Sequence, residues 1–122
     1  MKKVFVNHTN HPSARWSEEQ RIAAEKFGTI IDFPFPDIAP QLSEQEVLLI
    51  VKENYVKILA MEPVAVLCQG EFCYTIAMTE LLKQKGIPVM AACSERCSRE
   101  SVLPDGSTHK TNEFRFVRFR KY

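Results

Sequence analysis

The 122-residue sequence has almost no net charge, because 16 Lys and Arg balance 15 Asp and Glu and leave a formal charge of +1. A chain without an excess of positive charge lacks the broad electrostatic field with which general DNA- and RNA-binding proteins attract phosphates. We therefore expect no binding of long nucleic acid. A nucleotide ligand would have to be recognised by a few local groups.

Long hydrophobic runs are also missing. The longest, residues 47–51, is far shorter than the roughly 20 residues needed to cross a bilayer. Residues 1–7 contain no apolar segment of the signal-peptide kind. We expect a cytoplasmic protein without a membrane partner, in which the thiols of the four cysteines stay reduced.

The cysteines lack the spacing of a metal site. None of Cys68, Cys73, Cys93 and Cys97 forms a C-x2-C pair, so we expect no zinc site, and the sequence indicates no other metal or cofactor. Hydrophobic residues make up 45% and charged residues 25% of the chain, as in globular proteins. The length fits one domain over residues 1–122.

Strand and helix patterns alternate along the chain. Apolar and β-branched runs predict strands at 4–6, 29–33, 64–68, 87–92 and 114–119. Capping patterns at Ser17 and Ser43 predict helices at about 17–27 and 43–61, and a third helix runs from the turn at 69–71 to residue 85. Gly28 and Gly86 are predicted as left-handed helix stops.

This order of elements predicts a small doubly wound α/β domain with a mainly parallel, Rossmann-like sheet. The expected strand order is 2-1-3-4, with the last strand added antiparallel at an edge. The alternation of that last strand slips at Phe116 and Val117, where we expect a β-bulge. Ligands of such sheets bind in the crevice between the first and third strands.

The helix at 43–61 has a wider apolar stripe than one sheet face requires, because Leu49 and Ile50 lie beside it. Burial within the monomer and a subunit contact both explain this width. Burial is the favoured interpretation, because broad stripes are common in helices that are covered on two sides.

Three polar loops are expected at the carboxyl edge of the sheet, at 7–16, 69–72 and 93–99. Their donors and acceptors suit a phosphate and a base edge, although Asx-turns and a packed histidine explain single residues equally well. The candidate ligand-binding residues are Asn7, Thr9, Asn10, Ser13, Arg15, Gln69, Gly70, Glu71, Phe72 and Ser94.

The turn Gln69-Gly70-Glu71 joins the central strand to a helix. Glycine there allows another group to approach the backbone, and the helix N-terminus offers amides to an anion. Glu71 would repel a phosphate placed on those amides. A favourable interaction of its carboxylate with the helix dipole explains this residue equally well.

Residues 93–99 allow three interpretations. Cys93 and Arg99 have the C-x5-R spacing of a cysteine-dependent phosphatase or arsenate reductase, although the segment lacks glycine. Ser94, Arg96 and Arg99 could instead contact a phosphodiester, and the thiols could simply be buried.

The C-terminal segment mixes phenylalanines and arginines between Phe114 and Arg120. A basic-aromatic strip of this kind could bind nucleic acid. We favour an ordinary edge strand with its phenylalanines in the core and its cations outward. A noncatalytic interaction domain is a further alternative for the whole chain.

Several of these segments together resemble a known family. Residues 7–12, 17–20, 69–72 and 91–96 are similar to small stand-alone CRISPR-associated proteins with a CARF-like (CRISPR-associated Rossmann) domain, of the ring-nuclease type. The resemblance implies a homodimer whose strand-end loops surround a cyclic oligoadenylate, with cyclic tetra-adenylate as the expected ring. This is the second messenger of type III CRISPR immunity.

The resemblance also implies a reaction. In ring nucleases the 2′-hydroxyl of the messenger attacks the adjacent phosphorus and leaves a 2′,3′-cyclic phosphate without metal, whereas other relatives only bind the ring. Here His8 or His11 would be the acid or base. Arg96 and Ser13 would contact the phosphate.

Overall fold

The computed structural model describes residues 2–122 and contains five strands and three α-helices. The strands are β1 (Val4–His8), β2 (Thr29–Asp32), β3 (Ala65–Cys68), β4 (Val89–Val102) and β5 (Thr108–Lys121). The helices are α1 (Glu18–Glu25), α2 (Glu44–Ala60) and α3 (Phe72–Gln84). The strand order is β2-β1-β3-β4-β5, and every pair is parallel except β4 with β5. The predicted doubly wound α/β fold is confirmed.

The helices begin where the capping patterns predict. Ser43 and Glu46 form a reciprocal capping box, since each side chain accepts the backbone N–H of the other. The Ser17 hydroxyl accepts the backbone N–H of Gln20 at the start of α1. At the far end of α3, Gly86 has a φ of +75° and supplies the predicted left-handed stop.

Gly28 has a different role from the predicted one. The positive-φ glycines of the described chain are Gly86 and Gly106, so the prediction of a left-handed stop at Gly28 is wrong. A Cβ at Gly28 would lie 2.6 Å from the backbone carbonyl of Lys3. Glycine is needed there because the chain entering β1 passes directly against it.

The sheet is covered on both faces, because successive residues of each strand point to opposite sides. One face, with Val6, Val66 and Val89, packs beneath α2 and α3. The other face, with Phe5 and Leu67 at its centre, packs beneath α1. The near-continuous apolar sequences of β1 and β3 follow from burial on both sides.

β4 and β5 extend well beyond the rest of the sheet. β3 pairs with β4 only through Val66 with Val89 and Leu67 with Met90, whereas β4 pairs with β5 as far as Val102. Residues 93–118 therefore form a two-stranded projection, which we call the arm. The prediction that 93–99 form a polar loop is wrong, because β5 provides these residues with a hydrogen-bonding partner throughout.

The predicted bulge in the last strand is confirmed. Cys93 pairs with Arg118 and Ser94 pairs with Phe116, which leaves Val117 as the extra residue. One extra residue resets the alternation of side chains. Phe116 and Phe119 consequently lie on the same face of the sheet, where their rings meet edge to face at 4.9 Å.

The width of the apolar stripe on α2 is explained only partly by burial. Val47, Val51 and Ile58 are buried, and Ile50 packs against the core, but Leu49 is 63% exposed. The favoured prediction of burial within the monomer is therefore wrong for Leu49. No helix within residues 2–122 has both the length and the apolar character needed to cross a bilayer.

His8 is fully buried at the end of β1, and both ring nitrogens are hydrogen-bonded within the core. Nδ1 lies 2.7 Å from the Phe33 carbonyl oxygen, which can only accept, so Nδ1 carries the proton. Nε2 accepts from the Tyr74 hydroxyl at 2.7 Å, and that hydroxyl accepts from the Asn54 amide. The network leaves no free nitrogen, so the proposal of His8 as an acid or base for a ligand is not supported.

We predict that Gly28→Ala lowers the free energy of unfolding by about 1–3 kcal/mol, because its methyl group cannot fit against the Lys3 backbone without moving it. Urea denaturation measures the change. Gly106→Asn is the matched control, since Gly106 lies in open space and asparagine tolerates its positive φ. Equal stability of the alanine variant and the wild type would contradict this role of Gly28.

We predict that stability falls as the pH drops below about 6.5, the ordinary pKa of histidine. Burial lowers the pKa of His8 in the folded chain, and its hydrogen bond to Phe33 opposes this only in part. Between the lowered pKa and 6.5 the unfolded chain binds the extra proton, so the free energy of unfolding decreases by up to about 1.4 kcal/mol per pH unit.

Urea denaturation between pH 7.5 and 5.5 tests this dependence. His8→Phe should flatten it, whereas His109→Ala, an exposed histidine on the arm, should retain it. The same slope in His8→Phe and in the wild type would show that another group is responsible.

Candidate functional site

A cleft of about 1060 Å³ lies at the carboxyl edge of the sheet. The connection after β1 leads to β2 on one side, and the connection after β3 leads to β4 on the other. The chain therefore diverges between β1 and β3. This is the position at which open α/β sheets bind ligands. Thr9 and His11 line the cleft from the β1 side, and Gln69 and Gly70 line it from the β3 side.

Most of the predicted site residues line the cleft, and the others lie outside its lining. Those that line it are Thr9, Asn10, His11, Arg15, Gln69, Gly70, Phe72 and Ser94. Those outside its lining are Asn7, His8, Ser13, Glu71 and Arg96.

The loop after β1 is organised around one carbonyl group. The His11 oxygen accepts from the Asn7 amide at 2.9 Å and from the Trp16 indole at 3.0 Å. These donors hold the backbone of His11 at the mouth of the cleft. The imidazole of His11 and the guanidinium of Arg15 take no part in these bonds and stay exposed.

Asn7 and Ser13 are structural residues. The buried Asn7 amide donates to Asp32 at 2.9 Å as well as to His11, and its oxygen accepts from Thr9 at 2.8 Å. Ser13 donates its backbone N–H and its hydroxyl to the same Asp32 carboxylate. A carboxylate therefore occupies the place where a ligand phosphate would contact Ser13, and the predicted ligand contacts of Asn7 and Ser13 are not supported.

Gln69 extends the sheet with its side chain. Its Oε1 accepts the backbone N–H of Ala92 at 2.9 Å, and its Nε2 donates to the Ala92 carbonyl at 3.3 Å. These two bonds take the place of backbone hydrogen bonds between β3 and β4, just beyond the last residue of β3. Gln69 attaches the base of the arm to the floor of the cleft, and both atoms of its amide are occupied.

Gly70 permits a close approach, as predicted, but the approaching group belongs to the chain itself. A Cβ at Gly70 would lie 2.4 Å from the ring of Phe35, which is buried. Next to it, Glu71 caps α3, because its carboxylate accepts the backbone N–H of Tyr74 at 2.8 Å. Glu71 therefore takes the position that an anion at the helix N-terminus would need.

The arm forms a wall of the cleft that the sequence did not predict. Residues 113–116 of β5 line it together with Ala92 and Ser94 of β4. The favoured interpretation of the C-terminal phenylalanines as core holds for Phe119, which is buried, but is wrong for Phe114, which is 75% exposed. The mixture of arginine and phenylalanine was the available signal, but an ordinary edge strand was the favoured explanation of it.

Charges of both signs surround the cleft. Arg15 supplies a guanidinium group and Glu19 supplies a carboxylate. Asn10 and Gln20, with uncharged amides, line it as well. A ligand that carries both anionic groups and hydrogen-bond donors would match this arrangement better than a simple anion.

The C-x5-R interpretation fails on geometry. Cys93 and Arg99 both lie in β4, where six residue steps separate their Cα atoms by about 20 Å. An extended strand cannot curl its amides around an oxyanion, so no phosphatase-like cradle forms.

Cys68, in β3, is a buried cysteine. Burial raises the pKa of the Cys68 thiol to about 12, which keeps it uncharged and inert.

A second hollow of about 620 Å³ lies beside β2 and the end of α1. Lys3, Arg21 and Lys26 are among its lining residues, but none of the residues that follow β3 contributes to it. Within residues 2–122, no group of three His, Cys, Asp or Glu side chains is arranged to hold a metal ion. The cleft is therefore the better candidate site.

A comparison with protein families places the whole domain in one of them. The model described as the Uncharacterized protein MJ1673 family matches residues 3–120. No curated protein and no solved structure matches the chain. Because the family match covers the strands, the helices and the cleft alike, the chain belongs to the Uncharacterized protein MJ1673 family.

Proposed function

We propose that the cleft binds cyclic oligoadenylate in the cytoplasm, and that the protein is a ring nuclease or a binding protein for this messenger of type III CRISPR immunity. The composition of the cleft carries the proposal. Arg15 shares it with the exposed rings of Phe72 and Phe114. Guanidinium groups bind phosphates, and aromatic rings stack on bases.

Adenine is a suitable base for this cleft. Its edge presents a donor at N6 beside an acceptor at N7, a pair that one asparagine or glutamine amide can bind. Asn10 and Gln20 place such amides in the lining, whereas Gln69 is already bonded to Ala92. These amides support an adenine nucleotide over a plain phosphate ester.

The size of the cleft supports a ligand of several nucleotide units. Its volume of about 1060 Å³ lies at the upper limit of the roughly 300–1,000 Å³ that small-molecule sites occupy. The arm extends one of its walls through residues 113–116. A ring such as cyclic tetra-adenylate would use this length, and a mononucleotide would leave much of it in contact with water.

Cleavage would follow the intramolecular route that the family resemblance implies. The ribose 2′-hydroxyl gives up its proton to a base as its oxygen forms a bond to the adjacent phosphorus, the bond from phosphorus to the 5′-oxygen breaks, and the leaving oxygen takes up a proton. His11 is the remaining candidate acid or base, since His8 is enclosed in the core and Arg96 lies outside the cleft lining. Arg15 would stabilise the negative charge on the phosphorane.

A homodimer is part of the proposal. Exposed apolar side chains on both α2 and α3, among them Leu49, Val56 and Ile76, offer a surface for a second copy of the chain. Phe72, at the start of α3, is 81% exposed and also lines the cleft. A partner docked on these helices would therefore approach the cleft and could share one ring.

We predict micromolar or tighter binding of cyclic tetra-adenylate by the purified protein in excess EDTA, with one ring per two chains. Isothermal titration calorimetry gives the affinity and stoichiometry, and light scattering gives the mass, which should be twice the 14.0 kDa of one chain. Arg15→Ala should weaken binding about 10- to 150-fold, as expected for a hydrogen bond to a charged group. Arg99→Ala, on the arm away from the lining, is the control.

Absence of micromolar binding by the wild type would contradict the proposal and favour the interaction-domain alternative. Equal losses in Arg15→Ala and Arg99→Ala would show that the ligand binds elsewhere. A stoichiometry of one ring per chain would contradict the shared site.

We predict that His11→Ala cleaves the ring about 10²- to 10⁴-fold more slowly than the wild type while its dissociation constant changes little, as expected when an acid or base is removed. Chromatography and mass spectrometry follow the 2′,3′-cyclic phosphate product. His109→Ala removes an exposed histidine outside the cleft and should cleave normally. An undiminished rate in His11→Ala would assign catalysis to positioning alone, and binding without turnover by the wild type would identify a messenger sponge.

A further inference from the structure

The arm carries an exposed aromatic ring into the wall of the cleft. We propose that Phe114 is a base-stacking residue and that the arm selects an aromatic base of the bound nucleotide; this inference rests on the proposed function. Phe114 lies in β5, opposite Arg96 of β4. It lines the cleft although three quarters of its surface is exposed.

The register of the arm directs Phe114 toward the cleft. Ser94 pairs with Phe116 and Arg96 with Phe114, so Phe114 and Phe116 share one face of the ribbon with Ser94. The bulge at Val117 keeps Phe119 on this face as well. The three phenylalanines therefore form a row that begins in the core and ends in the open cleft.

Only the last member of the row is uncovered. Phe119 is buried against Phe5 and Trp16, and Phe116 packs on Phe119 at a centroid distance of 4.9 Å. Phe114 lies beyond these rings. The packing of Phe116 and Phe119 holds this part of β5 in place, so the Phe114 ring is presented on an ordered strand before any ligand arrives, which lowers the entropic cost of binding.

The base of the arm is fixed at a second point. The Gln69 amide is bonded to both backbone groups of Ala92, which lines the cleft beside Ser94. A two-stranded ribbon is marginally stable by itself. The bonds of Gln69 to Ala92 and the packing of Phe116 on Phe119 therefore fix the base of the ribbon close to Phe114.

The chemistry around Phe114 specifies a base rather than a purely apolar group. The amides of Asn10 and Gln20 line the same cleft. A hydrocarbon ligand would leave these polar groups without partners, at a cost in affinity. A nucleobase presents a flat face to the ring and hydrogen-bonding edges to the polar groups.

The test compares side chains of similar apolar character that differ in their aromatic face. Phe114→Leu keeps a large apolar side chain but removes the ring, and Phe114→Trp enlarges the ring. Val117→Ala is the control on the same strand, since Val117 is exposed and lies outside the cleft lining. The probe is cyclic tetra-adenylate in EDTA, and the readout is the dissociation constant from calorimetry.

We expect Phe114→Leu to bind about 5- to 150-fold more weakly, the loss that corresponds to one base stacked on an aromatic ring. Phe114→Trp should bind at least as tightly as the wild type, and Val117→Ala should be unchanged. The ligand should also quench the fluorescence of the introduced indole, beyond the fluorescence change seen in the wild type, whose single tryptophan is Trp16. This signal reports stacking itself.

Wild-type affinity in Phe114→Leu, or no additional quenching in Phe114→Trp, would overturn the inference and leave the proposed function intact. Equal losses in Phe114→Leu and Val117→Ala would also overturn it, because the effect would then belong to the strand. No binding by the wild type would overturn both proposals. Equal unfolding midpoints in urea confirm that the variants are folded, as expected for an exposed position.

Discussion

The arrangement of the molecule depends on the pairing of β1 at both of its edges. β2 occupies one edge and β3 the other, and all three strands are parallel. Each parallel connection must cross a face of the sheet, so α1 covers one face while α2 and α3 cover the opposite one. Beyond the ends of β1 and β3 the connections turn in opposite directions. No helix or strand of residues 2–122 fills the space between them, and the cleft lies there.

The unequal lengths of β3 and β4 shape the rest of the site. β3 ends at Cys68, whereas β4 continues to Val102 with β5 as its partner. The departure of β4 and β5 from the sheet opens the cleft on one side and supplies its arm wall. The side chain of Gln69 bridges the point at which the strands separate. Sheet edges in this protein therefore form a wall of the cleft as well as stabilising the fold.

Polar residues of similar type serve two purposes around the cleft. Asn7 and His8 end β1 inside the protein and satisfy buried partners, whereas Asn10 and His11, three positions later, face the cleft. Strand alternation directs His8 toward Tyr74 and Asn7 toward Asp32. The buried set holds the loop in shape, and the exposed set is left available to a ligand. Composition alone does not separate them, because both sets use amides and imidazoles.

Local sequence determined the order of strands and helices, the capped starts of α1 and α2, the stop at Gly86 and the bulge near Val117, since these features depend on residues close together in the chain. The carboxyl edge could also be located, because parallel strands of one sheet end together. Only tertiary structure decided which residues of that edge face the cleft. His8 is buried and hydrogen-bonded in the core, and Ser13 is hydrogen-bonded to the Asp32 carboxylate. Residues 93–99 form a strand because they pair with β5. Each of these outcomes depends on a partner distant in sequence, such as Tyr74 for His8, and the same holds for Gly70, whose partner is Phe35. A local sequence pattern carries no information about such partners.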